Sequence, residues 1–418
     1  MLEAVEAGPF RKTPRDFRRS GPLSPRLLVM LLVSMAANAG RRGYGLLLER
    51  FWSEARTAGL DLPTERPVSA AALCQARQKL DAEAVRALVW RAAERFEGDW
   101  GERHRWRGLR VFAVDGSRAN VQRSEALWER YGGDSKGGCP QVLLSTLFDV
   151  VSKVPHDVAV APYGSDERQL LLGHLDRLRA GDLLVLDRGY PSFEVLCHLE
   201  GRGLDFAMRV RTQSGFPAVT RFVESGRRDG RIEITVPQDY RMKDVPPVSV
   251  RAVRIERRGA EPMVVLTSLP RRRFPIKAIR ELYAMRWRIE SYYQVVKGGY
   301  FGQGQFHAKT PDGVEQEVYA QALLVALSRH LMAGASATHA VPYEEVGEKA
   351  ALLAVADDLT RLLLTQRPAD AAALLEHLLD RIARHRVKPR PGRSYPRRSF
   401  KPASKWHARG KRGGPALA

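Results

Sequence analysis

The spacing of hydrophobic and polar residues changes its period several times along the chain. From Ser24 to about Glu97, and again after Gly299, apolar residues recur at the spacing of amphipathic helices. Between these parts, from Leu109 onward, short apolar runs alternate with amphipathic segments. Strands that alternate with helices are typical of an α/β sheet. The pattern therefore predicts an α/β core with helical regions before and after it.

Two of the apolar runs end in an aspartate that is followed by a turn. LRVFAVDGS contains Asp115, and GDLLVLDRGY contains Asp187 after four consecutive apolar residues, which predict a strand covered on both faces. One such aspartate is unremarkable, because Asp is a common turn residue. Open α/β sheets bind their ligands at the carboxyl ends of strands, so the two aspartates together predict a functional site at that edge.

The helical pattern disappears between about Thr212 and Pro275. Three strand-like segments, RIEITVPQ, VSVRAVRIERRG and MVVLTSLP, are joined there by turns rich in Gly, Pro and charged residues. This composition predicts a β-rich insertion, after which the helical pattern resumes.

The stretch LYAMRWRIESYYQVVKGGY, residues 282–300, has the spacing of one helix with a polar face. Tyr283, Arg286, Glu290 and Lys297 fall on that face, and mostly apolar residues occupy the other. One interpretation is a solvated face with an Arg286 to Glu290 ion pair. The other is a functional face that brings Glu290 to the two aspartates.

The net charge of the chain favours a polyanionic partner. Its 418 residues include 68 Lys and Arg against 47 Asp and Glu, which gives a formal charge of +21. Such an excess brings self-repulsion without benefit to an enzyme of small metabolites, but it increases affinity for a phosphate backbone. From Arg384 to Ala418 the sequence has no acidic residue and is rich in Pro and Gly, which predicts a disordered basic tail.

The N-terminal helical region contains the basic segment VSAAALCQARQKL, residues 68–80, in which Ser69 is placed to cap a helix. We expect Arg77 and Lys79 at exposed positions of this helix. They could bind DNA or could simply be solvated, and the sequence leaves both interpretations open.

Cysteine usage and hydropathy limit the class of protein. The three cysteines are far apart and form no C-x-x-C pair, which excludes a disulfide framework and a recognisable zinc site and fits a reducing cytoplasm. The apolar segment at residues 26–40 is too short to span a bilayer, and Ser24 and Pro25 before it are typical of a helix start. We expect a buried helix there rather than an export signal.

Convergence of Asp115, Asp187 and Glu290 would require a cation, because neighbouring carboxylates raise one another's pKa. Mg²⁺ prefers oxygen ligands, and two ions about 3.5–4 Å apart can clamp the attacking and leaving oxygens of a displacement at phosphorus. We therefore predict that these three carboxylates hold two Mg²⁺ ions, with Mn²⁺ as a substitute.

Cationic and hydroxyl side chains near these carboxylates are candidates for DNA contacts. In the functional interpretation of the helix face, Tyr283, Arg286 and Lys297 bind backbone phosphates beside the metal site. Arg188, next to Asp187, is a further candidate, although pairing with a nearby acid explains it equally well.

The phrase YAMRWRIESYYQVVK resembles the DDE transposases of the IS-four (insertion sequence four) family. Tyr283, Arg286, Glu290 and Lys297 reproduce that family's Y-x2-R-x3-E-x6-K signature, and VDGS and LDRGY look like its first and second aspartate motifs. The similarity covers most of the chain. It implies a ribonuclease-H-like core with the two aspartates on adjacent strands, the glutamate on a later helix and a β-rich insertion between them.

The resemblance also implies a reaction. Members of the family bind the inverted repeats of their element, pair two protein copies across two DNA ends, and cut and insert by transesterification. The chain departs from the family pattern at two places. Gly116-Ser117 stands where a Thr often follows the first aspartate, and Tyr293-Gln294 stands in place of the Phe-Arg of the E-x-x-F-R phrase.

We predict a DNA transposase of α/β fold, acting as a homodimer on double-stranded DNA in the bacterial cytoplasm near the nucleoid, without a membrane or nucleotide partner. The alternatives are a catalytically silent DNA-binding repressor or architectural protein, and a metal-dependent nuclease. The predicted domains are 1–105 (helical, DNA-binding), 106–211 (core, first part), 212–275 (β-rich insertion), 276–335 (core, second part, with the glutamate), 336–386 (C-terminal helices) and 387–418 (basic tail).

Overall fold

A computed structural model describes residues 10–18, 21–38, 43–134, 138–212, 215–236, 245–257, 260–297 and 306–388. The predicted basic tail lies outside the described residues from position 389 onward.

Four helices open the described chain. They are α1 (Pro25–Asn38), α2 (Tyr44–Thr57), α3 (Ala70–Gln78) and α4 (Ala82–Trp100). The Ser24 hydroxyl accepts a hydrogen bond from the Leu27 N–H at 3.2 Å, which caps the first helix as its sequence predicts. Nearly every described side chain of α1 is buried, so the prediction of a buried helix is confirmed. In the described residues, no helix has both the length and the apolar character needed to cross a membrane.

The centre of the molecule is one sheet of eight strands. They are β1 (Val111–Asn120), β2 (Gln141–Asp149), β3 (Pro155–Pro162), β4 (Leu183–Leu186), β5 (Asp205–Val210), β6 (Asp229–Ile234), β7 (Val248–Arg257) and β8 (Ala260–Thr267). Their spatial order is β3-β2-β1-β4-β5-β8-β7-β6. The intervening helices are α5 (Glu125–Tyr131), α6 (Glu167–His174), α7 (Phe193–Gly201) and α8 (Pro217–Glu224).

The first five strands have the topology expected for the core. The strand β2 pairs antiparallel with both β1 and β3, whereas β4 runs parallel to β1 and β5 runs parallel to β4. Three antiparallel strands beside two parallel ones form a ribonuclease-H-like sheet, so the predicted fold class is confirmed.

The strands between residues 212 and 275 extend this sheet. The last of them, β8, pairs antiparallel with β5, matching Ala207 with Thr267, and β7 and β6 follow outward. The outer edge of β5 is therefore covered by backbone hydrogen bonds. The division of the chain into six domains stays a prediction.

The two faces of the sheet are covered by different helices. On β1, Val111 and Ala113 belong to the apolar cluster that includes α1 and α4, whereas Phe112 and Val114 belong to the cluster beneath α6 and α7. The remaining helices are α9 (Ile276–Met285), α10 (Arg288–Lys297), α11 (Pro311–Thr338), α12 (Glu348–Leu364) and α13 (Pro368–Arg384). Buried through most of its length, α11 packs between α4, α1 and α13.

The predicted single helix over residues 282–300 is two helices in the structure. It is interrupted by a turn at Arg286 and Trp287. Around this turn, Ile289 N–H donates to Arg286 O at 3.3 Å and Glu290 N–H donates to Trp287 O at 3.2 Å. These bonds to the third preceding residue tighten the chain in the manner of a 3₁₀ turn. The prediction of one continuous helix is wrong, because local tightening is not visible in apolar spacing.

Candidate active site

Asp115 and Asp187 extend from neighbouring parallel strands. The register matches Val111 with Leu183 and Ala113 with Val185, and two positions further along are the two aspartates. Side chains at every second strand position share a face, and adjacent strands lie about 4.8 Å apart. The two carboxylates therefore project side by side from the same face, Asp115 from the middle of β1 and Asp187 directly after the end of β4. The expectation that a strand ends at Asp115 is wrong, because β1 continues to Asn120 through its antiparallel pairing with β2.

The Asp115 carboxyl group lies in an environment that disfavours its charge. Burial, with 21% of the side chain exposed, raises its pKa to about 6. Arg286 lowers this pKa, whereas the charges of Asp187 and Glu167 raise it further, and the Gly116 N–H that donates to Asp115 Oδ1 at 3.0 Å lowers it. At neutral pH this carboxylate is ionised at a cost, which a neighbouring cation would offset.

Asp187 is held in a turn after β4. The Gly189 N–H donates to Asp187 Oδ1 at 2.7 Å, and the turn is fastened to the start of α6, where Arg168 Nε donates to Gly189 O at 3.0 Å. The Tyr190 hydroxyl donates to Glu167 Oε2 at 3.3 Å. Two side chains from the first turn of α6 therefore fix the loop that carries the second aspartate.

Glu290 is linked to Asp115 by a shared arginine. Nη2 of the buried Arg286 donates to Glu290 Oε1 at 3.0 Å, and its Nη1 lies 4.0 Å from Asp115 Oδ2. The Nε of this guanidinium has no acceptor among the described residues. The ion pair anticipated in the solvated interpretation thus forms, but it forms inside the site, where it joins the third carboxylate to the first.

The oxygen donors of this site suit a hard divalent cation. Among the described residues, no group of three or more His, Cys, Asp or Glu side chains is arranged so that it could hold a metal ion. Mg²⁺ in phosphoryl-transfer sites is held by one or two carboxylates together with substrate phosphates. Asp115 and Asp187 fit that role, since burial, and to a smaller extent the charge of Asp187, raises the pKa of Asp115, and a neighbouring cation would offset this cost of ionisation. Glu290 would become available as a third ligand if Arg286 paired with another anion instead.

Comparisons with known proteins agree with this geometry. The transposase InsG for insertion sequence element IS4 of Escherichia coli (strain K12) is 25% identical over 282 residues, which are 65% of this chain. Residues 106–327, more than half of the chain, match the family model described as the transposase DDE domain. The chain belongs to the DDE transposases of the IS-four family. The resemblance read from the signature is confirmed.

The matches of this IS-four-family chain to its relatives are partial. The chain spans 63% of the length of InsG. A putative transposase, InsZ of the same bacterium, is 25% identical over 151 residues, which are 35% of this chain and 49% of InsZ. A chain in the cryo-EM structure of the piggyBac transposase synaptic complex with hairpin DNA aligns over 91% of this chain and 81% of its own length, with a TM-score of 0.47 and 10% identity.

Of the other signature residues, Tyr283 lies beside Arg286. Tyr283 is 5% exposed, and although burial raises the pKa of its hydroxyl, the neighbouring Arg286 lowers it. Lys297 is the last residue of α10, and its side chain lies outside the described residues. Arg188 is exposed beside Asp187, and no ion pair links it to an acid within the described residues, so its DNA contact stays a prediction.

The expectation that Arg77 is exposed is wrong. Its side chain is 5% exposed and contacts four groups, with Nη1 2.6 Å from the Tyr44 hydroxyl and 2.9 Å from Glu317 Oε1, Nε 3.0 Å from Gln316 Oε1, and Nη2 2.7 Å from Gly313 O. The guanidinium therefore fastens α3 to α11, and its burial keeps it from contacting DNA. Lys79, at the end of the same helix, is exposed as expected.

Helical spacing alone carried a signal for this burial. Leu73, Ala76, Arg77 and Leu80 lie at i, i+3, i+4 and i+7 and form the buried face of α3. The charge of Arg77 predicts an exposed side chain, but its position lies on the apolar face of α3.

Arg77→Met is expected to lower the free energy of unfolding by about 3 kcal/mol, because it leaves the largely buried Glu317 without its cation. Urea denaturation checks this value. Lys79→Met serves as the matched control, and we expect its stability to change by less than about 0.5 kcal/mol. An Arg77→Met variant as stable as Lys79→Met would contradict the structural role.

Two site residues have no signal in the sequence. Glu167 reads only as an acidic residue in the first turn of a helix, yet its carboxylate lies against Gly116, where an added Cβ would stand 2.5 Å from Glu167 Oε2. A side chain at position 116 would therefore require the Glu167 carboxylate to shift. The second residue is Tyr293, whose apolar spacing predicts a packing role alone.

Proposed function

We propose that the protein is a transposase that binds the terminal inverted repeats of an insertion sequence, cleaves the element's ends by metal-dependent phosphodiester hydrolysis and joins them to target DNA by transesterification. The observation that carries this proposal is the placement of Asp115 and Asp187 side by side on adjacent parallel strands, with Glu290 tied to Asp115 through Arg286. Membership of the DDE family supports it.

The side chains divide the work as follows in this proposal. Asp115, Asp187 and Glu290 hold up to two Mg²⁺ ions, which supply Lewis-acid chemistry at the scissile phosphate when bound. Arg286 pairs with Glu290, so a DNA phosphate that accepts from this guanidinium draws it away from Glu290 and frees that carboxylate. Each step exchanges one phosphodiester for another or hydrolyses it, so no nucleotide cofactor is required.

The remaining cationic positions serve DNA binding in the same proposal. Arg188 binds backbone beside the cleavage site, Tyr283 and Lys297 bind it along α9 and α10, and Lys79 binds it at the N-terminal helices. The charge of +21 supplies the sequence-independent part of the affinity. Two protein copies pair two DNA ends, and the reaction takes place in the bacterial cytoplasm at the nucleoid.

The proposal is tested with end-labelled DNA that carries the inverted repeats flanking the coding region, incubated with a target plasmid and Mg²⁺ or Mn²⁺. We expect cleavage at the element's end and a joined product in the plasmid. Cleavage without joining would identify a nuclease, and specific binding without cleavage would identify a repressor or architectural protein. Either result would overturn the proposal.

A further inference from the structure

Tyr293 connects the helix of Glu290 to the strand of Asp115. It lies one helical turn after Glu290 on α10 and is 7% exposed. Its hydroxyl is 2.7 Å from the backbone oxygen of Asp115, 3.0 Å from Leu144 O and 3.1 Å from Thr146 Oγ1. The side chain thus reaches from the helix onto the paired strands β1 and β2 at the first aspartate.

The Tyr293 hydroxyl is placed to fix the distance between α10 and β1. A phenol has a single proton, so it donates to one carbonyl at a time and accepts from the Thr146 hydroxyl. Thr146 is the β2 partner of Asp115, so both groups belong to one rung of the strand pair. Because the bonded oxygen belongs to the backbone of Asp115 itself, any shift of α10 along the sheet stretches a buried hydrogen bond at the catalytic strand.

We propose that Tyr293 is a positioning residue that sets the separation of Glu290 from Asp115 by fastening α10 to the Asp115 backbone. The helix needs such a fastening because the chain tightens directly before Glu290, at Arg286 and Trp287. The hydroxyl stands at the position where the family's E-x-x-F-R phrase has Phe. The inference rests on the proposed transposase chemistry at the same site.

The test is Tyr293→Phe compared with Tyr343→Phe in the full-length protein. The Tyr343 hydroxyl also donates to a backbone oxygen, Ser152 O at 2.6 Å, and this bond involves none of the three carboxylate residues. Each substitution removes one hydrogen bond donated to a backbone oxygen, and Tyr293→Phe also removes the contact with Thr146, so we expect a small loss in thermal stability for both and a somewhat larger one for Tyr293→Phe. Only Tyr293→Phe is expected to lower kcat for end cleavage, by about tenfold with KM unchanged, because displacements well under 1 Å of a reacting group already slow catalysis.

Two further measurements separate positioning from stability. Tyr293→Phe is expected to weaken Mn²⁺ binding about threefold, measured by the electron paramagnetic resonance of free Mn²⁺, because the carboxylates no longer share one geometry. In a Glu290→Asp background, which already misplaces the carboxylate, Tyr293→Phe is expected to cost less than about twofold in kcat.

The outcomes distinguish this inference from the proposed function. A wild-type protein that neither cleaves nor joins DNA overturns the proposed function. A wild-type protein that cleaves, with Tyr293→Phe matching Tyr343→Phe in kcat and Mn²⁺ affinity, overturns the positioning role alone. Multiplicative losses in the Glu290→Asp background also overturn it, because Tyr293 would then act independently of Glu290.

Discussion

Asp115→Asn, Asp187→Asn and Glu290→Gln are each expected to lower the rate of end cleavage by about 1,000-fold or more, with DNA affinity changed by less than about threefold. Each amide keeps the shape of the carboxylate and removes the charge that holds a divalent cation. The three residues act as one unit, so a double variant is expected to be hardly slower than the single ones.

Single-turnover cleavage of end-labelled DNA measures this effect, and a filter-binding titration measures affinity. Glu281→Gln is the matched control, since Glu281 is a half-exposed acid on α9 that pairs with Arg107 at 3.5 Å, outside the carboxylate cluster. We expect wild-type rates for it. A wild-type rate in Asp115→Asn or Asp187→Asn would contradict the proposal that the two aspartates hold the catalytic metal together.

The Asp115→Asn substitution is expected to affect activity and stability in opposite directions. Burial and the charge of Asp187 raise the pKa of Asp115 to about 6, and a carboxyl group whose folded pKa is raised loses stability as the pH rises through that value. At pH 7 the ionised Asp115 is therefore a net cost to the fold. Asp115→Asn is expected to be at least as stable as the wild type in thermal unfolding at pH 7, while it is inactive.

Asp157→Asn is expected to lower the free energy of unfolding by about 4–5 kcal/mol, the largest stability effect among these substitutions. The Asp157 side chain is 1% exposed and accepts from Arg86 Nε at 2.8 Å, Trp90 Nε1 at 2.7 Å and His174 Nδ1 at 2.7 Å. These donors join α4 and α6 to β3, and His174 continues to the Ser145 hydroxyl at 3.1 Å. An asparagine leaves the Arg86 guanidinium with only the largely exposed Glu83, 3.2 Å away, as a counter-charge.

The pH dependence of this effect has a defined sign. Burial alone would raise the pKa of Asp157, but hydrogen bonds from His174 and Arg86 outweigh it and hold the pKa well below its usual range. A lowered folded pKa stabilises the fold above the unfolded value of about 3.9 and loses that stabilisation as the pH falls below it. Urea denaturation should therefore give a full wild-type to variant difference at pH 7 that shrinks below about pH 4.

Asp176→Asn is the control for this measurement, because Asp176 is 71% exposed and pairs at the surface with Arg202. We expect it to cost less than about 1 kcal/mol. Equal stability losses at Asp157 and Asp176 would show that the buried network contributes no more than a surface pair.

Much of the core could be predicted from local sequence. The apolar run before Asp187 forms β4, the run before Asp115 forms the first part of β1, and a spacing of four residues brings Arg286 within reach of Glu290. The turn predicted after Asp115 is absent, because β1 continues there as a strand paired with β2. The β-rich segment appeared as three strands. Such features depend on short-range periodicity and on turn residues, which neighbouring positions encode.

The tertiary structure decided which groups the side chains on each helix face contact. The spacing of α3 placed Arg77 beside apolar residues, but only the arrival of α11, more than 230 residues later in the chain, supplied its acceptors. In the same way, the Tyr293 hydroxyl finds the Asp115 backbone across 178 positions. The sequence by itself determined the strands, the helices and the three acids. The partners that hold those acids in place come from long-range packing, whose energy depends on groups that no local pattern brings together.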